Sequence, residues 1–477
     1  MRSVRGYNSS KVRMANPTVE ASRPGLLRQL GFFSATALVI SNMVGLGIFT
    51  STGYMAGDLG SAWLIMLCWA VGAAFALAGA LSYSELGINF PSSGGEYVYL
   101  TRAYGREWGF MTGWVSFFAG FSAPIAAVAL AFSDYLGHFW PALKQSNAPV
   151  VIGRGAFSLH LGPGQVLASS LIAAFTVLNC FGVGLTAKVQ NVLTGVKLAV
   201  ILSFVLMGLG IGAGNWGHFS QIATRTSTAP VAEQFFISLL WVMVAYSGWN
   251  AATYVAEEVR RPERTLPAAL AVGCGLVSVA FLALNVVYIY STPLESMKGV
   301  MAVGALSASN LFGPGIAGAF SGLMALAIMA TVNAEITIGP RVYFAMAKNR
   351  AFFPSAAKVH PRFHTPVFAI LSQGLCAMLM TLTPFRELVL YIGMSLTLFT
   401  VLAVASVLVF RRRQPGWQRL RAVDFAFPLI PASYILVGAA MIVFGVILAP
   451  QASLIAFGTL GAGALVYRFG VRSRGAE

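Results

Sequence analysis

The chain has 477 residues, of which 57% are hydrophobic and 10% charged, with a mean hydropathy of +0.75. Ordinary soluble proteins carry about 25% charged residues, so this composition excludes one and indicates a polytopic membrane protein. The formal charge of +16 does not call for nucleic acid either, because the basic residues are spread between apolar runs and form no cluster on a soluble domain.

Residues 1–30 carry Arg2, Arg5, Lys11, Arg13, Arg23 and Arg28 and contain no apolar stretch followed by a small-residue cleavage site, which reads as a retained tail. Apolar runs of spanning length then recur at about 32–56, 62–86, 110–137, 166–183, 189–213 and 233–256. Six more follow at about 268–291, 315–346, 367–383, 387–410, 427–448 and 452–468, which makes twelve expected spans and an all-α chain. With both termini cytoplasmic, 25 of the 31 Lys and Arg fall in inner loops or tails, and the outer loops hold only Lys144, Arg154, Arg225, Lys298 and Arg386. That asymmetry is the positive-inside signature, and a basic face toward anionic lipid accounts for the net charge.

Most loops are short, so residues 31–470 read as a single transmembrane domain with cytoplasmic tails at 1–30 and 471–477. Cys68, Cys180, Cys274 and Cys376 all lie in apolar spans, which suggests core packing and neither a disulfide framework nor a metal cluster. His138, His160, His218, His360 and His364 lie in loops or at span ends without metal-ligand spacing, and no P-loop is present. No metal or cofactor is therefore expected, and ATP-driven transport is disfavoured.

Two glycine-containing segments interrupt spans one and six: Val44-Gly45-Leu46-Gly47-Ile48-Phe49 and Ala245-Tyr246-Ser247-Gly248-Trp249-Asn250. Glycine costs a helix interior about 1 kcal/mol relative to alanine, and unpaired backbone groups cost several kcal/mol in hydrocarbon. Interruptions at matching places in two halves of a chain are a sequence pointer to a transporter's substrate site. Two five-span repeats, about 31–213 and 233–410, followed by extra helices at about 427–468, place the breaks at equivalent positions, and an odd number of spans per repeat inverts the second copy. Broken helices offer N–H groups at one end and carbonyls at the other, which matches a zwitterionic amino acid: carboxylate toward Gly45, Leu46 and Gly47, ammonium toward carbonyls near Met43, Val244 and Ser247. The competing reading is that these glycines only allow close helix packing.

Further segments carry a family resemblance. They are Met43–Phe49, Tyr83-Ser84-Glu85-Leu86-Gly87 leading to Pro91-Ser92-Ser93-Gly94-Gly95-Glu96-Tyr97, the run Glu257-Glu258-Val259-Arg260-Arg261-Pro262-Glu263-Arg264-Thr265-Leu266-Pro267, Asn333 with Arg341, and Arg411–Pro415. Over Gly31 to about Pro431 the chain resembles the amino acid–polyamine–organocation superfamily, closest to bacterial L-type amino-acid transporters. The resemblance implies the LeuT-like fold, with spans one and six unwound, and transport by alternating access rather than catalysis. It implies backbone contacts to the substrate from Gly45, Leu46, Gly47, Met43, Val244 and Ser247. Val244 stands where relatives often carry a closing aromatic, so Trp241, Tyr246 or Trp249 is the expected gate, and Asn250 an expected site residue.

Lys197 lies well inside span five, where a charge costs about 2.5–3.5 kcal/mol. In related transporters a lysine at the matching position replaces a sodium ion, which argues against sodium coupling. Glu335, in span eight, stands where the L-type pattern has a small hydroxyl residue. Two placements are open for it: an intramembrane pair with Lys197, or a water vestibule beside Arg341. Glu85, Glu96, Glu257 and Glu258 lie near inner helix ends beside several arginines and read as gate or structural salt bridges.

The function expected is an inner-membrane amino-acid permease, by proton symport or exchange. Alternatives are a carrier of cationic amino acids or polyamines, and a transporter-like nutrient sensor. Residues 138–165 contain no cysteine, so no disulfide-linked heavy chain is expected, and the chain is read as a monomer or non-covalent dimer whose partners are substrate and lipid.

Overall fold

A computed structural model describes residues 28–471 apart from 29, 46, 93, 349–350 and 364. Most of the two expected tails, together with Leu46, Ser93 and His364, therefore fall outside the described residues. The first expected span is two helices, α1 (Phe32–Met43) and α2 (Gly47–Leu59), bent by 41° at the break. Then come α3 (Ala62–Asn89), the short α4 (Glu96–Tyr104), α5 (Arg106–Leu136), α6 (Pro163–Cys180) and α7 (Val183–Gly210). After them follow α8 (Val231–Tyr246), α9 (Pro262–Ser291), α10 (Val303–Phe312), α11 (Pro314–Lys348), α12 (Val367–Met380), α13 (Phe385–Arg413), α14 (Leu429–Leu448) and α15 (Pro450–Val466).

Among the described residues ten helical stretches are long and apolar enough to cross a membrane, or eleven when α1 and α2 count as one span. The span expected at 367–383 is the shorter apolar helix α12, of 14 residues, below the roughly 17–25 residues a straight crossing needs. These helices form because every backbone N–H and C=O must be satisfied internally in hydrocarbon, and their sequences are apolar on most faces. Leu198, Leu202, Leu206 and Leu209 of α7 step along one exposed face, as do Leu371, Leu375 and Leu379 of α12; such large uncovered apolar stripes suit lipid, not water.

Two features were not expected from the sequence. The loop after α5 folds into an antiparallel hairpin, β1 (Val150–Ile152) with β2 (Leu159–Leu161). Within α5, Ser116–Ser122 is π-helical, a widening that often marks functional sites.

In the packing, α9 lies against α3 and α1, while α11 lies against α5, α7 and α10, and α13 against α8, α14 and α15. The broken segments are enclosed between these groups.

Candidate functional site

The first break begins where α1 ends. The Val44 amide still donates to Ile40 O at 3.0 Å, but Val44 takes φ −73° and ψ 86°, outside the helical region, and regular helix resumes at Gly47. The second break begins at Ser247 (φ −54°, ψ 148°), passes through Gly248 at φ +94°, and ends in a 3-10 helix, Ala251–Glu258. A positive φ of this size favours glycine.

The two breaks touch. A Cβ on Gly47 would overlap Cα and Cβ of Ala245, and one on Gly248 would lie 2.8 Å from the Asn42 carbonyl carbon and oxygen. Close helix packing and broken backbone are therefore not competing explanations of these glycines; one requires the other, since the missing side chains let the two interruptions sit side by side.

Below this junction lies a cavity of about 460 Å³. Its walls are Met43 and Gly45 of the first break, Val244, Ser247, Gly248, Trp249 and Asn250 of the second, and Ser116, Gly120 and Phe121 of the π-helical stretch. Thr331, Glu335 and Arg341 of α11, Ile392, Gly393 and Leu396 of α13, and Glu96 and Glu258 are also among its lining residues. Gly47 lines the junction, not the cavity, and Leu46 lies outside the described residues. The Thr331 hydroxyl is buried without a hydrogen-bond partner, and its methyl would lie 3.6 Å from a Cβ on Gly45. Sequence reasoning missed Thr331 and the α5 residues. A lone threonine in an apolar run carries no local signal, and π-helical geometry has no periodic signature.

Backbone donors and acceptors at the junction are partly engaged within the protein. The Val244 carbonyl accepts from the Ser247 amide at 3.2 Å and from the Ser247 hydroxyl at 2.7 Å, which uses both of its lone pairs. The Lys197 ammonium, 1% exposed, donates to the carbonyls of Ser41, at 3.2 Å, and Val44. Carbonyls at and just past the end of α1 thus solvate the buried ammonium with the negative ends of their dipoles. Lys197 and Glu335 form no direct ion-pair contact among the described residues, although the two charges lie near enough to act on each other. Glu335 lines the cavity with Oε2 lacking a hydrogen-bond partner. Asn333, two residues earlier, binds Asn179 at 3.1 Å and Gln190 at 2.9 Å and so joins α11 to α6 and α7.

The aromatic residues divide. Trp249 lines the cavity and meets Tyr83 edge-on with centroids 4.7 Å apart. Trp241, fully buried, stacks on Tyr54 at 4.7 Å and lies 6.2 Å from Phe385, where α2, α8 and α13 converge. Arg386 lies over the Trp241 ring and reaches both oxygens of buried Asp58 at 3.5 Å. None of Tyr54, Asp58, Trp241, Phe385 and Arg386 lines the cavity, whose wall does include Glu258 and Arg341. Tyr246 does not line it but packs on Trp69 and Phe281.

Of the expected acidic helix ends, Glu85 is a buried clamp. It accepts two 2.7 Å bonds from Arg411, one of 2.7 Å from Trp417 and one of 3.1 Å from the Leu420 amide. Glu96 has no cation partner among the described residues and is bonded to Tyr83, Asn250 and Tyr254.

The family model for amino acid permeases matches residues 30–462. The chain belongs to the amino acid permease family. This permease is 28% identical over 468 residues to the large neutral amino acids transporter small subunit 2 of Mus musculus, covering 96% of this chain and 84% of that one. It is 27% identical over 440 residues to the Asc-type amino acid transporter 1 of Homo sapiens, covering 90% and 80%. It is also 27% identical over 414 residues to the serine/threonine exchanger SteT of Bacillus subtilis, covering 85% and 88%. Its fold resembles that of MhsT, solved in complex with L-phenylalanine, with a TM-score of 0.53 and 15% identity over 92% of this chain and all of that one. The permease is thus a multi-span membrane protein of an amino-acid transporter family, whose relatives are transporters and not enzymes.

Proposed function

We propose that this permease carries a neutral zwitterionic α-amino acid by alternating access through the cavity beneath the two breaks. The observation that carries this reading is the meeting of two interrupted helices at the head of the cavity. The first turn of α2 leaves N–H groups that no helix of its own can satisfy, and Met43 and Ser247, which line the cavity, offer backbone carbonyls. A carboxylate fits the former and an ammonium the latter. Val244 and Asn250 belong to the same site, with Trp249 beside the substrate and Trp241 in the cluster beside Asp58. Lys197 holds the first break in shape with its own charge, which leaves no need for sodium there.

The basic residues place both termini and the Arg341 end of the cavity in the cytoplasm of a cell whose inner membrane holds the protein. Repeats at about 31–213 and 233–410, with extra helices at about 427–468, divide the domain. The cysteine-free segment 138–165 supports a carrier without a covalent heavy chain, as a monomer or non-covalent dimer.

Counterflow in proteoliposomes tests the reading. Preloaded unlabelled amino acid should drive accumulation of label, whether the coupled mode is proton symport or exchange. Binding without counterflow would instead make the protein a sensor. A second reading, transport of cationic amino acids or polyamines, has one observation in its favour: the unpartnered Glu335 oxygen in the cavity wall. In a competition panel of the twenty amino acids, lysine and arginine should compete weakly. Strong competition that Glu335→Gln removes would establish the second reading.

A further inference from the structure

Glu96 opens α4 at the floor of the cavity and is 7% exposed. Its Oε1 accepts from the Tyr83 hydroxyl at 2.8 Å and the Asn250 amide at 2.8 Å, and its Oε2 from the Tyr254 hydroxyl at 3.1 Å. The groups that face it are Tyr83 of α3, Asn250 and Tyr254 after the second break, Tyr99 of its own helix and Tyr434 of α14. None is charged near neutral pH, and no Lys, Arg or His among the described residues forms an ion pair with it. The other ionisable groups on the cavity wall are Glu258, Glu335 and Arg341. This differs from Glu85, which has a guanidinium against it. Burial raises the Glu96 carboxyl above the usual carboxylate range, while the bonds from Tyr83, Tyr254 and Asn250 oppose that rise. A carboxyl balanced in this way has both protonation states within reach.

The position gives such a proton a mechanical consequence. Three elements meet at the carboxyl: α3 through Tyr83, the segment after the second break through Asn250 and Tyr254, and α4, which rests on α13 through a Tyr104 hydroxyl to Leu402 carbonyl bond of 3.0 Å. A bond to an ionised carboxylate is roughly twice as strong as a neutral one. Protonation therefore weakens the hold of α4 on the segment that carries the substrate site.

We propose that Glu96 is the proton-binding residue of this permease, loading a proton with the amino acid and releasing it to the cavity, so that loosening and tightening of this joint accompany each half-cycle. The inference rests on the cavity being the amino-acid pathway.

The test uses the full-length protein in proteoliposomes with a trapped pH-sensitive dye, and a mixture of the twenty amino acids, adjusted to the internal pH, as probe. The wild type should acidify the lumen as substrate enters. In Glu96→Gln the number of protons entering per amino acid should fall about tenfold or more, and Glu96→Asp should restore part of it. Tyr254→Phe removes a donor to the ionised form, so the midpoint of the uptake pH profile should move upward by about 1 unit; this variant decides the matter if Glu96→Gln carries nothing. Proton entry unchanged in Glu96→Gln, a midpoint unmoved in Tyr254→Phe, or wild-type counterflow without proton movement would each overturn the role of Glu96 and leave the transport reading standing. Absence of wild-type counterflow would remove the transport reading itself.

Discussion

Two buried charged residues show how differently similar side chains are accommodated. Lys197 rests on two carbonyls at the end of a broken helix, while Glu85 is enclosed by a guanidinium, an indole N–H and an amide. Removing one member of a buried charged pair costs about 3–5 kcal/mol, so Glu85→Ala should markedly lower the thermal unfolding midpoint in detergent; an unchanged midpoint would show the clamp to be dispensable. Lys197→Met strands the Ser41 and Val44 carbonyls at about 1–3 kcal/mol each and should reduce counterflow at least tenfold. Lys197 was legible in the sequence because a charge deep in an apolar run announces itself. Its partners were not, because carbonyls become available only once the helix is known to end at Met43. The Asn250 donor to Glu96 and the Arg411 donor to Glu85 lie 154 and 326 positions away, which no local pattern encodes.

At the scale of elements, the interruptions were legible, because glycines in spanning runs conflict with the demand for paired backbone. The seating of Gly47 on Ala245 and of Gly248 on Asn42 is a tertiary fact. It predicts that Gly47→Ala abolishes counterflow by pushing α2 off α8. Gly195→Ala, within α7 and with nothing within 4 Å of the added Cβ, should leave transport intact and stabilise by about 0.5–1 kcal/mol. Equal behaviour of the two variants in uptake would mean that the contact between the breaks is unimportant. The π-helical turn facing them, Ser116–Ser122, and the short α12 had no sequence signature, since apolar composition marks a span without specifying its register or its ends.

For the whole molecule, resemblance and composition carried the fold class, while the cluster around Asp58 is a tertiary fact. Beside Asp58, Tyr54, Trp241 and Phe385 stack together with Arg386 on Asp58, and of these only Trp241 was foreseen as a gate. Asp58→Asn weakens the tie between α2 and α13 and should shift the population outward, seen as several-fold faster external thiol labelling of a Tyr54→Cys reporter; no acceleration would assign the closure to aromatic packing alone. The central claim is that main chain at two touching helix interruptions holds both ends of an amino acid. The most direct measurement is a structure of the permease with an amino acid bound. The account predicts the α-carboxylate against the first amides of α2 and the α-ammonium against the carbonyls near Met43 and Ser247. An amino acid bound elsewhere in the cavity, with both breaks untouched, would contradict it.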